Sequence, residues 1–124
     1  MRALVARDLA DSRVAGLSAD RRFATAYNAA LQAANMAIAC AGYRVTAKTG
    51  HHTVALDSVK VAVGSTASKY ADYFDRCRRK RNVIDYTRSH VATESEANEI
   101  VQQATEFYKV VEGWIDSKFP TLKH

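Results

Sequence analysis

Five cations crowd into one short stretch: Arg76, Arg78, Arg79, Lys80 and Arg81, with Asn82 directly after. A guanidinium is a rigid, always-charged fork of donors, and an amide adds a donor and an acceptor. Side by side they suit a phosphate-bearing ligand. Tyr86 and His90 follow, four residues apart. On a continuing helix they would share a face. Part of the charge has an ordinary explanation. Asp72 and Arg76, Asp75 and Arg79, and Arg81 and Asp85 are four apart and suit ion pairs on a solvated helix face. Arg78 and Lys80 have no carboxylate four residues before them. That leaves these two, with His90, as candidate phosphate-binding residues.

These residues need a helix to carry them, and the apolar spacing supplies one. Leu56, Val59, Val63, Ala67, Tyr70, Phe74 and Cys77 step by three or four, and the same step then lands on Arg81 and Ile84. Arg81 therefore stands in register with core-facing positions. A guanidinium in an apolar seam is costly unless it is paired or opens onto an interface. Either its stem runs along the edge of the stripe to water, or it lines a polar cleft between helices or subunits.

The other elements read as follows. Met1 to about Ser12 is a short helix candidate. Ser18 is an N-cap. Phe23, Tyr27, Leu31, Ala34 and Ile38 mark an alanine-rich amphipathic helix ending at Gly42. Thr46 to Thr53 is a polar loop, Val54 to Val63 a short helix, and Gly64-Ser65 a break. A long helix follows from Thr66 to about His90. Thr93 and Glu96 form a capping box. The last helix carries Ala97, Ile100, Ala104, Phe107, Val111, Trp114 and Ile115 on one face and stops at Pro120. The expected architecture is all-α: an up-down bundle of four long helices plus a short extra one, in a single domain over residues 1–124. Asn28 and Asn35 are the polar residues of the alanine-rich helix that could hydrogen-bond toward Arg81 or Tyr86.

The chain has 124 residues, a net charge of +5, one proline and five glycines. No apolar run is long enough to span a membrane, and Arg2, Arg7 and Asp8 interrupt any signal-peptide core. Two cysteines, Cys40 and Cys77, suit reduced packing residues in the cytoplasm. There is no Gly-rich phosphate loop, no Ser/His/Asp set and no paired-Cys spacing. His51, His52 and Asp57 are too unspecific a set for a metal site. No cofactor is expected.

The string Arg78-Arg79-Lys80-Arg81-Asn82-Val83-Ile84-Asp85-Tyr86, with the segment Ala24 to Ala34, resembles the HEPN superfamily (higher eukaryotes and prokaryotes nucleotide-binding domain). The likeness extends over nearly the whole chain, and the Arg-Asn element is its sharp motif. It implies a helical bundle, usually a homodimer, with two Arg-Asn elements facing across a cleft. It also implies an RNA or nucleotide ligand, and in many members metal-independent ribonuclease activity as a toxin paired with a small nucleotidyltransferase. Arg81, Asn82 and Tyr86 occupy the catalytic positions on this reading. The family motif usually carries histidine where this chain has Tyr86. A phenol, with an ordinary pKa of about 10, is a poor general base near neutrality. His51, His52 and His90 are the histidines that could substitute. A non-catalytic module that binds a nucleotidyltransferase, or a purely structural bundle, are the alternatives.

Overall fold

The computed structural model describes residues 2–11, 18–40, 56–60, 63–85 and 91–118. Four helices carry the architecture: α1 (Arg2–Asp11), α2 (Ala19–Cys40), α3 (Ser65–Asp85) and α4 (Glu94–Lys118). A further helical stretch covers residues 56–60. The all-α bundle read from the sequence is the fold. Gly42, the loop from Thr46 to Thr53 and the expected continuation of α3 to His90 lie outside the described residues.

The ends of the helices follow local chemistry. The Ser18 hydroxyl accepts the Arg21 N–H at 3.2 Å, satisfying one of the unpaired donors of the first turn of α2. Gly64 takes φ +95° and donates its N–H to the Lys60 carbonyl at 3.0 Å. A side chain there would strain the left-handed backbone, so glycine is the residue that can end one helix and start the next. At the start of α4 the capping box is complete. Thr93 Oγ1 accepts the Glu96 N–H at 3.0 Å, and Glu96 Oε1 accepts the Thr93 N–H at 2.9 Å.

α2 is the central element and packs against the other three helices, most extensively against α4. Its alanines explain how. Ala26, Ala30, Ala33 and Ala37 step by four, three and four and are all buried. Short side chains let neighbouring backbones come close while keeping full helix propensity. Arg22 bonds Asn98, bringing the first turns of α2 and α4 together. Lys80 meets Glu96 at one end of α3 and Tyr70 meets Glu106 nearer the other, so α3 runs antiparallel to α4. The core holds the predicted stripes: Phe23 and Tyr27 from α2, Tyr70 and Phe74 from α3, Ile100, Phe107, Val111 and Ile115 from α4. Val5 and Leu9 of α1 join the same cluster, with Leu56 and Val59. Trp114 and Tyr108 pack half-buried against it.

Glu96 links this cap to α3. Its carboxylate is held below the usual glutamate range, first by the hydrogen bond from Lys80 and then by the Thr93 N–H. A depressed folded-state pKa contributes stability above the unfolded value and loses it as pH falls through the folded one. Glu96→Gln keeps the cap acceptor but not the ion pair. We expect it to cost about 0.5 kcal/mol near neutral pH, the scale of a partly exposed pair. The gap should close as acid protonates the wild-type carboxylate. Urea titrations across the acid range check both, and a gap unchanged by acid would refute the assignment.

Candidate functional site

Arg81 sits four residues from the end of α3 and is half-buried. Its guanidinium is fixed from the side. Nε donates to Asn28 Oδ1 at 3.2 Å and Nη2 donates to the same oxygen at 2.9 Å. One amide oxygen thus takes two of the five guanidinium donors and sets the plane of the fork. Asn28 is neutral, so it orients the cation without supplying a countercharge. The guanidinium carbon also stands 6.0 Å from the centroid of the Tyr27 ring, within the range of cation–π attraction. The Tyr27 hydroxyl is pushed up to about 12 by burial, with Arg78 and Arg81 pulling weakly the other way. It therefore remains a protonated phenol at physiological pH.

Arg81 thus bridges α3 to α2 through Asn28. Asn28 was legible as a partner because a polar amide interrupts an alanine-rich helix. Asn82 follows Arg81 and is exposed. Tyr86 and His90 lie outside the described residues, as do His51 and His52. Asp57 is exposed, 4.0 Å from Lys60.

The cations of the run are distributed differently from their sequence spacing. The expected pairs of Asp72 with Arg76 and of Asp75 with Arg79 do not form. Asp72 is taken by Lys60 at 2.5 Å, across from the 56–60 stretch. Asp75 is 3.4 Å from Arg78 Nε, close enough for an ion pair but without hydrogen-bond geometry. Lys80 is not an open cation: Nζ donates to Glu96 Oε2 at 2.5 Å and to the Val91 carbonyl at 3.5 Å. Arg76 and Arg79 are exposed, and no carboxylate among the described residues pairs with them. Arg76 lies over the Tyr73 ring, 5.8 Å from its centroid. The outward basic face of α3 is therefore Arg76 and Arg79, beside Asn82.

A depression of about 240 Å³ opens between α3, the start of α4 and Phe23. Tyr73, Cys77 and Glu99 line it. Burial pushes the Cys77 thiol up, so it stays protonated and is a weak nucleophile. Tyr73 is likewise raised, chiefly by burial. Among the described residues, no three His, Cys, Asp or Glu side chains are grouped to hold a metal ion, and no helix is long and apolar enough to cross a membrane.

Sequence reasoning missed one polar contact at the start of α4. Both oxygens of Asp20 accept backbone N–H groups, from Ala92 at 2.7 Å and from Val91 at 3.2 Å. An acidic residue in the first turn of a helix is expected on dipole grounds alone, so nothing in the sequence marked it out. Compared with known proteins, residues 14–112 match the model of the SAV_6107-like HEPN family. No curated protein and no solved structure matches the chain.

Proposed function

This chain belongs to the SAV_6107-like HEPN family, and on that premise we propose that it binds single-stranded RNA through a phosphate site centred on Arg81. The observation that carries the reading is the fork of two hydrogen bonds from Arg81 to Asn28. A guanidinium held in one plane in a half-buried seam has its orientation fixed before a phosphate arrives, and preorganised donors are worth more than mobile ones. Asn82, exposed on the next position, supplies an amide to the same phosphate or its sugar. Tyr86 contributes a phenolic donor and His90 an imidazole. Arg78, flanking Arg81 on the same helix, adds positive potential. In a homodimer two such elements face one another.

Lys80 has a different part. Its ammonium is committed to Glu96 and the Val91 carbonyl, so it supports the start of α4 rather than the ligand. Arg76 and Arg79 take over as the electrostatic approach.

The test uses a fluorescently labelled single-stranded RNA in chelator, titrated with the protein at several salt concentrations. Binding should weaken steeply with salt, and fragments on a gel would add ribonuclease activity to the reading. Replacing both Arg76 and Arg79 by alanine should flatten the plot of log affinity against log salt by about 1.4, since each single-strand phosphate contact contributes about 0.7. Absence of salt-sensitive binding by the wild type would overturn the proposal.

A further inference from the structure

α2 holds neighbouring segments through polar side chains at two points. Asn28 holds Arg81 near the end of α3, and Asp20 holds the Val91 and Ala92 backbone just before α4. The two side chains are eight residues apart on one continuous helix, roughly 12 Å along its axis. We propose that Asp20 is a positioning residue for the phosphate site. With Asn28 it makes α2 the rigid template that sets the span between Arg81 and the start of α4. The proposal rests on the RNA reading above.

The chemistry of the contact explains the residue type. Val91 and Ala92 precede α4, so their N–H groups have no helical acceptor, and Ala92 is buried. A buried N–H without a partner is costly. A carboxylate offers an acceptor on each oxygen and can satisfy two adjacent N–H groups at once. Asparagine offers one acceptor and turns a donor toward the other N–H.

The dipeptide is also held from its opposite side. Lys80 of α3 donates to the Val91 carbonyl at 3.5 Å, and the same ammonium is bound to Glu96 of the capping box. Arg22, two residues after Asp20, binds Glu94 at 3.1 Å and Asn98 at 2.5 Å. Two helices, α2 and α3, thus converge on residues 91–98 at the start of α4. A helix start that needed only a cap would be complete with Thr93 and Glu96. The additional carboxylate from α2 ties this point to the element that also orients Arg81.

The experiment compares wild type, Asp20→Ala, Asp20→Asn and Thr93→Ala. Amide hydrogen exchange at Val91 and Ala92 reads the clamp, and affinity for the labelled RNA reads the site. Thr93→Ala weakens the cap while leaving both Asp20 bonds, so it controls for lost stability. Asp20→Ala should speed exchange at both amides and weaken RNA binding by about tenfold, equivalent to about 1.4 kcal/mol, a fraction of what two bonds to a charged acceptor are worth within the fold. Asp20→Asn should recover protection at one amide and part of the affinity. Thr93→Ala should bind RNA like the wild type. Faster exchange with unchanged RNA affinity would overturn the positioning role, and so would an equal affinity loss in Thr93→Ala. Unchanged exchange in Asp20→Ala would refute the clamp itself. If the wild type binds no RNA, the functional reading falls and the positioning role with it, while the exchange data still decide whether the clamp exists.

Discussion

Arg81→Ala should abolish most of the RNA affinity, and Arg81→Lys should not restore it. Bonds from a charged donor are worth about 1.5–3 kcal/mol, so losing the phosphate contact predicts a drop of about 10- to 150-fold in affinity. The lysine variant tests geometry rather than charge. An ammonium is a point donor on a flexible stem and cannot place two bonds on Asn28 Oδ1 while facing a phosphate in a fixed plane. Restored affinity in Arg81→Lys would mean that charge alone matters and that the fork to Asn28 is incidental. Wild-type affinity in Arg81→Ala would remove the site altogether. The structural cost of the alanine variant is small by comparison. Asn28 is half-buried, so its abandoned oxygen can be reached by water, and about 1 kcal/mol of stability is the expected loss. Anisotropy with labelled RNA, together with thermal melting of each variant, separates the two effects.

Phe107→Ala should have the opposite profile, a large loss of stability at a position remote from the cations of α3. Phe107 is 0 % exposed. Its ring centroid lies 5.7 Å from that of Tyr70 and 5.6 Å from that of Phe74. Truncation removes the buried ring, leaves a cavity between α3 and α4, and forfeits both aromatic contacts. The expected cost is about 3–5 kcal/mol, against about 5–15 kcal/mol for the whole stability of a typical domain. That corresponds to a fall in melting temperature of roughly 10–20 °C. Urea denaturation measures it. A loss below about 1 kcal/mol would show that the Tyr70–Phe74–Phe107 cluster does not anchor α3 to α4. Below its melting temperature the variant should still bind RNA, which is how a core residue differs from a site residue.

The two variants mark two kinds of legibility. Phe107 and Phe74 could be assigned to the core from spacing, because a side chain's face on a helix is set by its position in a 3.6-residue repeat. The same repeat placed Arg81 in an apolar register and made it the outstanding residue of the basic run. The caps at Ser18 and Thr93 were equally readable, since each closes over three residues. Gly64 was readable as a break because few other residues accept its backbone angle.

What the sequence determined by itself was therefore local: the helices, their buried faces, their capped ends, and one arginine out of place. The pairing of charges was decided only by the packed bundle. Spacing along α3 assigned Asp72 to Arg76 and left Lys80 open, yet Asp72 binds Lys60 and Lys80 binds Glu96 of another helix. An ion pair forms with whichever partner packing brings near, and a carboxylate on a neighbouring helix competes equally with one four residues away. The Arg81–Asn28 fork joins residues 53 apart, and the Asp20 contact to Ala92 joins residues 72 apart. No periodicity reaches so far. Their geometry depends on how closely α2 approaches its neighbours, which its alanines permit but do not dictate.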